Sequence, residues 1–268
     1  MSARPLVSVI LPVFDGEEYV GRAIASVLNQ TWRKLELIVV DDASTDGTAA
    51  AVRKWMRRDR RIRFVSHARN QGENPTRNTG LGKARGRYVG WIDHDDEWID
   101  RRKLALQVAF LEAHSDVVIV GCGVRIEDEA GRLLRIPVVA VSDSQIRNLM
   151  LFRNPFVQPA VLFRRSVLAR SGPYEREPRL AGDYHLWLKT GRHGLMANLT
   201  RVMVRVTELP TGLTRRNYWS RYWAGVRLVW KFRNDYPHGR LALFKNLTER
   251  VFGFVYRPLK PLWVRMWK

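Results

Sequence analysis

Four short apolar runs rich in β-branched residues punctuate the first hundred positions, at residues 6–13, 35–41, 62–65 and 88–92. Runs of this length without strict polar alternation predict strands buried on both faces. Between them the period changes. Residues 17–28 place Tyr19, Ala23, Ile24, Val27 and Leu28 on one face, and residues 47–58 group Ala51, Val52 and Trp55, as amphipathic helices do. The alternation of strand and helix predicts an α/β fold: a mostly parallel, doubly wound sheet flanked by helices, with ligands beyond the carboxyl ends of its strands. From about Gly121 the pattern is less regular, without internal repeat or low-complexity linker.

The polar residues of interest follow the strands. Pro12-Val13-Phe14-Asp15, Asp41-Asp42-Ala43-Ser44 and Asp93-His94-Asp95-Asp96 close three of the four runs and would share one rim. Three carboxylates in four positions repel one another unless a cation or hydrogen bonds compensate. Oxygen ligands of this kind suit Mg²⁺ or Mn²⁺ bridged to diphosphate oxygens. The same residues have a second reading as local structure. Asp95 or Asp96 would cap a helix starting near Asp100, and Asp41, Asp42 and Ser44 are ordinary turn and cap residues.

Several blocks together break this tie. Val7-Ser8-Val9-Ile10-Leu11-Pro12-Val13-Phe14-Asp15, Ser26-Val27-Leu28-Asn29-Gln30-Thr31, Ile38-Val39-Val40-Asp41-Asp42-Ala43-Ser44-Thr45-Asp46-Gly47-Thr48, Arg77-Asn78-Thr79-Gly80, Ala84-Arg85-Gly86-Arg87-Tyr88 and the Asp93/Asp95 pair resemble the family 2 glycosyltransferases, over residues 7–207. The resemblance implies the GT-A fold and inverting transfer of one sugar from a nucleoside diphosphate sugar. It assigns Asp93 and Asp95 to the metal, and Pro12, Phe14, Asp42, Arg77 and Asp93 to the nucleotide sugar. A carboxylate at Asp42 would accept the N3–H of uracil, which makes a UDP-sugar the expected donor. Phe14 would pack on the base and the Arg77 fork would suit phosphate, against plain packing roles for both.

Leu180-Ala181-Gly182-Asp183-Tyr184-His185-Leu186-Trp187-Leu188 resembles the family block that carries the catalytic carboxylate, which falls on Asp183. A carboxylate there would take the proton of the attacking acceptor hydroxyl. The competing role is an N-cap for the helix containing Trp187. Gln158-Pro159-Ala160-Val161-Leu162-Phe163-Arg164 and Ser171-Gly172-Pro173-Tyr174 resemble segments that shape the acceptor floor. Four positions depart from the family pattern: Asp15 replaces a frequent Asn, Gly182 an acidic neighbour, His185 a second Asp, and Thr207 a metal-binding His. The Gln-x-x-Arg-Trp signature of processive synthases is missing. Single transfer to a glycan or lipid-linked acceptor, for cell-surface polysaccharide or glycolipid synthesis, is therefore expected. Another metal-dependent nucleotide-sugar enzyme such as a nucleotidyltransferase is the first alternative, but the chain has no Gly-rich phosphate loop; the second, a non-catalytic polyanion-binding protein, is opposed by the set Asp42, Asp93, Asp95 and Asp183.

Composition adds a partner. The chain carries a formal charge of +20 over 268 residues. Residues 212–268 hold 13 Lys and Arg against two acids, Asp235 and Glu249, interleaved with many aromatics. Trp219, Trp223, Val226 and Trp230 fall on one helical face. Such a stretch suits an anionic membrane surface, or packs one face on the core with its basic side solvated. No nucleic-acid recognition module is recognisable, so nucleic acid is not an expected partner. The single Cys122 lies in an apolar run where burial is expected, and no signal-peptide pattern opens the chain. The expectation is a cytoplasmic enzyme, peripheral at the inner face of the cell membrane. Its parts are a catalytic domain over residues 1–211, with a donor half at about 6–120 and an acceptor half at 121–211, and a helical extension over 212–268.

Overall fold

The computed structural model describes residues 4–177, 181–209 and 218–256. The first part follows the alternation expected from the apolar pattern: β1 (Val7–Val13), α1 (Glu17–Leu28), β2 (Leu35–Asp41), α2 (Thr48–Met56), β3 (Ile62–Ser66), α3 (Glu73–Lys83) and β4 (Tyr88–Trp91). After β4 come β5 (Glu97–Trp98), α4 (Lys103–Ala113), β6 (Val117–Asp128), β7 (Leu133–Arg135), α5 (Asp143–Leu149), β8 (Leu162–Arg164), α6 (Leu168–Ser171), α7 (Gly182–Thr190) and β9 (Leu195–Glu208). Two further helices follow, α8 (Tyr218–Phe232) and α9 (Gly239–Tyr256).

One mixed sheet runs in the order β3-β2-β1-β4-β8-β6-β9-β5, with β7 hydrogen-bonded to β6. β3, β2, β1 and β4 are parallel, as helical crossovers require. β8 runs against both β4 and β6, while β6 and β9 form a long parallel pair. Strand pleating divides the core into two layers. Val7, Val9, Leu11 and Val13 of β1 enter one cluster with Val20, Ile24 and Val27 of α1. Ile10 points the other way, joining Ile38, Trp91, Ile119, Phe163 and Trp187.

Three local expectations change. Tyr19 leaves the buried face of α1 and donates from its hydroxyl to Glu129 at 2.8 Å. The helix expected near Asp100 begins at Lys103, because the acidic turn leads into β5, and neither Asp95 nor Asp96 caps it. On α8, Val226 is buried while Trp219, Trp223 and Trp230 are exposed, so the valine does not belong to the tryptophan stripe. The helix packs its other face on the core through Leu228, Val229 and Phe232. Among the described residues no helix is long and apolar enough to cross a membrane.

Candidate active site

The carboxyl ends of β1 and β2 are bound into one rim. The Asp42 amide donates to the Val13 carbonyl at 2.8 Å, continuing the parallel register past the strands. The two loops then exchange side chains. Ser44 Oγ accepts from the Asp15 amide at 2.9 Å, and Asp15 Oδ1 from the Thr45 amide at 2.7 Å. Asp46 Oδ2 accepts from the Glu17 amide at 3.0 Å, and Glu17 Oε2 returns the favour to the Gly47 amide at 3.0 Å. Asp15 and Ala43 both sit at positive φ, 46° and 65°. Left-handed backbone at non-glycine residues costs on the order of 1 kcal/mol each, which the lacing must offset. Phe14, at the head of this rim, is 44% exposed, which places a ring in solvent instead of the core.

Asp42 is almost fully buried. Its Oδ1 accepts from the Gln71 amide at 2.9 Å and lies 2.7 Å from His67 Nδ1, and its Oδ2 accepts from the Gly72 amide at 2.7 Å. Gly72 adopts φ 89°, a conformation that favours glycine. A carboxylate has about four acceptor positions, so one, on Oδ2, is left for a ligand donor. The other ring nitrogen of His67 lies 2.9 Å from Thr79 Oγ1 on α3. His67 escaped sequence reasoning because nothing near it in the chain announces its partner. Asp42 thus anchors the loop before α3 as well as facing the rim.

The third strand end is the acidic turn. The Asp96 amide donates to the Asp93 carbonyl at 3.1 Å, and buried Asp96 Oδ1 accepts from the Thr207 amide at 3.0 Å. Thr207 Oγ donates to the Asp95 carbonyl at 2.7 Å, joined there by Arg22 at 2.9 Å. Thr207, singled out as the family's histidine position, therefore lies on the acidic turn and braces its backbone. The His94 ring packs beside Gly16, where a Cβ would lie 2.6 Å from Cδ2, so the acidic turn rests on the β1–α1 loop.

Protein groups relieve the charge crowding at this turn only in part. Desolvation raises the Asp93 carboxyl to about 6; Arg77 and His94 pull it down, Asp95 and Glu73 push it up. Asp96 is raised well above the ordinary value by burial and by Asp95 and Asp93. Among the described residues no three His, Cys, Asp or Glu side chains gather into a protein-only metal cage. Two oxygen donors under mutual repulsion fit a hard divalent cation that keeps waters and substrate oxygens in its other positions.

Arg77, on the second turn of α3, connects this turn to the far side. Its side chain is 8% exposed, with Nη1 3.1 Å from Glu73 Oε2 and Nη2 3.6 Å from Asp93 Oδ1. Burial opposes its charge, but Glu73, Asp93, Tyr174 and Asp183 outweigh it and hold the guanidinium above the ordinary arginine value. Its Nε is buried without a hydrogen-bond partner. Beneath it lies the ring of Tyr174, 5.7 Å from the guanidinium carbon. That ring belongs to an aromatic group in which Trp91 stacks on Phe163 at 4.8 Å and meets Trp187 edge-on at 5.3 Å. Trp91 lies two residues before Asp93 and Trp187 one turn after Asp183, so the group sets the spacing between the two carboxylates.

Asp183 is in the first turn of α7 and does not cap it; the N-cap is Ala181, without a side-chain cap. Instead Asp183 Oδ2 accepts from Asn154 Nδ2 at 3.0 Å. Gly182 has a steric cause: a Cβ there would collide with the amide of Asn74 on α3. His185 turns away into the core, 3.5 Å from Glu175 Oε1 and 3.3 Å from Lys231 Nζ of α8. Burial lowers it to about 4; Glu175 pulls it up, while Lys231 and Lys189 add to the depression, which leaves it neutral near pH 7. Cys122 is buried, and burial lifts its thiol to about 11 despite Lys103 nearby, so it is no nucleophile. A separate groove of about 660 Å³, lined by Arg85, Arg87 and Arg165, lies at the opposite, amino-terminal edge of β4. Arg85 and Arg87 pair there with Glu36 and Glu112.

The family model described as Glycosyl transferase family 2 matches residues 8–171. An uncharacterized glycosyltransferase of Haemophilus influenzae is 30% identical over 221 residues, covering 76% of this chain and 66% of that protein. A Bacillus subtilis protein named for teichuronic acid biosynthesis, TuaG, is 40% identical over 112 residues, 42% of this chain and 44% of its own length. Across the first four curated relatives the matched segment covers 42–78% of the relative. Among solved structures, the mannosyltransferase PcManGT of Pyrobaculum calidifontis, in complex with GDP-Man and Mn²⁺, aligns with TM-score 0.68 and 25% identity over 92% of this chain and 70% of that one.

Proposed function

The chain belongs to glycosyl transferase family 2 and has its GT-A fold, and we propose that it is an inverting transferase that moves one sugar from a UDP-sugar to a hydroxyl of a glycan or lipid-linked acceptor. The observation that carries this reading is Arg77, which stands within electrostatic reach of both Asp93 and Asp183 and so ties a leaving-group side to a base side across one gap. The donor half is residues about 6–120, the acceptor half 121–211, and the extension 212–268.

Pro12, exposed Phe14 and the remaining acceptor position of Asp42 bind the base; the uracil N3–H donates to Asp42 Oδ2. Arg77 offers its unpaired Nε to a diphosphate oxygen, which removes the cost of an orphaned buried donor. Asp93 and Asp95 hold a divalent ion, which supplies Lewis-acid stabilisation of the departing diphosphate. Asn154 fixes Asp183 Oδ2, so Oδ1 takes the acceptor's proton. The hydroxyl oxygen then attacks the anomeric carbon as the bond to diphosphate breaks, and that electron pair leaves with the UDP. Attack opposite the leaving group inverts the carbon. Kinship with a protein named for teichuronic acid biosynthesis supports a cell-surface polysaccharide as the destination, made in the cytoplasm at the inner face of the membrane.

A panel of UDP- and GDP-sugars with Mn²⁺ or Mg²⁺, read by thermal unfolding, tests the donor side. A true donor at roughly 100 times its Kd stabilises the fold by about 3 kcal/mol. Stabilisation by UDP-sugars that disappears with a chelator and in Asp95→Ala is expected. A preference for GDP-sugars overturns the base assignment, and stabilisation that persists in Asp95→Ala overturns the metal assignment.

A further inference from the structure

Helices α8 and α9 share one core layer and expose the other side. Leu228, Val229 and Phe232 of α8 and Ala242 of α9 enter the cluster around Trp187 and Ile119. The faces turned away from that cluster are apolar and large. Trp219, Trp223 and Trp230 are 48%, 42% and 56% exposed, and Leu241, Phe244 and Leu247 are 58%, 66% and 46% exposed. On α8 the three tryptophans fall at i, i+4 and i+11, a single stripe that also contains exposed Arg227. On α9, exposed Arg240 and Lys245 flank Leu241 and Phe244. Six large apolar side chains on one two-helix layer exceed the scattered apolar residues of an ordinary surface.

The charge around them selects the partner. The seven Lys and Arg against two acids, Asp235 and Glu249, in the described residues 218–256 repel a second copy of the same layer. They attract an anionic surface, and indole rings among basic side chains match the headgroup boundary of a bilayer. We propose that the outward face of the α8–α9 layer docks on an anionic lipid membrane, with the tryptophans in the interface and the basic side chains on phosphate headgroups. The layer also reaches the acceptor half. Lys231, beside Trp230, lies 3.4 Å from Glu175 Oε2 and 3.3 Å from His185 Nε2, and His185 is two positions from Asp183. The docking face is thus one side-chain contact from the helix that carries the proposed base; this link to a lipid-linked acceptor rests on the transfer reading, whereas the docking does not.

The test uses the full chain with vesicles of phosphatidylcholine, with and without phosphatidylglycerol, at low salt, read by co-sedimentation and tryptophan emission. Binding only to the anionic vesicles is expected, with a blue-shifted emission. The combined Trp219→Ala, Trp223→Ala and Trp230→Ala variant should bind at least about tenfold more weakly, a loss of about 1.4 kcal/mol or more. A second variant, Leu241→Ser with Phe244→Ser, leaves α8 untouched and should also weaken binding, with unfolding midpoints compared to confirm that each variant is folded. Equal binding to neutral vesicles, no binding to either, or undiminished binding by both folded variants overturns the proposal. So does a concentration-dependent dimer in sedimentation velocity that the tryptophan variant abolishes. Thermal stabilisation by a nucleotide sugar with Mn²⁺, without vesicles, should match wild type in both variants; if no nucleotide sugar stabilises wild type, the transfer reading fails while vesicle binding still decides the docking.

Discussion

The two sides of the proposed site, donor and acceptor, are held by different means. On the donor side, Asp15, Ser44, Asp46 and Glu17 cross-link adjacent strand-end loops, and Asp42 spends three of its acceptor positions on Gln71, Gly72 and His67. On the acceptor side, Asp183 accepts one hydrogen bond, from Asn154, 29 residues away in the chain. A carboxylate saturated by its own protein is part of the scaffold, and one held by a single amide keeps acceptor positions open to a ligand. The donor rim therefore trades stability when altered, and the acceptor carboxylate trades chemistry.

Asp183→Asn gives the widest expected separation. It removes basicity with little change of shape, so kcat should fall by roughly 10²–10⁴-fold, the range of general-base catalysis. The unfolding midpoint should hardly move, because a single partly exposed hydrogen bond is involved. Transfer at the wild-type rate would remove Asp183 from the mechanism; a large loss of stability would erase the contrast between the two sides.

Asp42→Ala is the converse. It strips two backbone amides and His67 of their buried acceptor, at a cost on the order of 3 kcal/mol in stability. Denaturant unfolding measures the loss, and nucleotide affinity should fall with it as the loop before α3 loosens. A variant that keeps its stability but loses the nucleotide would mean that Asp42 is a ligand contact alone, and the rim is less constrained than its hydrogen bonds indicate.

The same contrast explains what could be read from the residues alone. β1 to β4 and the helices α1 and α2 announce themselves through apolar periods, because each buries itself against its immediate neighbours, whereas α3 buries mainly polar residues and has no such period. The three acidic or polar strand ends follow from that order. The acceptor half is assembled by pairs far apart in the chain: β8 between β4 and β6, Thr207 on the Asp95 and Asp96 turn, Asn154 on Asp183. None of these leaves a local period. Asp95 and Asp96 carry a helix-cap spacing, yet the backbone turns into β5 because Glu97 and Trp98 pair with Arg205 and Val204. Trp219, Trp223 and Trp230 read as one stripe with Val226, and only the packing of α8 on the core separates them.

Gly182 lies where the two sides meet and gives the smallest and most specific expected effect. Its missing side chain is the space taken by Asn74, which also donates to the Glu175 carbonyl at 3.0 Å and so ties α3 of the donor half to the segment before α7. An alanine at 182 forces that amide aside, which overpacking at a close contact sets at about 1–3 kcal/mol. Asp183 follows directly, so a displaced first turn should also lower kcat while leaving nucleotide affinity unchanged. The double variant Gly182→Ala with Asn74→Ala decides whether this contact is the cause. If it is, the two stability losses fall short of additive by about 1 kcal/mol or more, and part of kcat returns, as coupling between touching residues requires. Strict additivity would place the strain in the backbone at 182 and leave the two halves joined through Arg77 and its aromatic support.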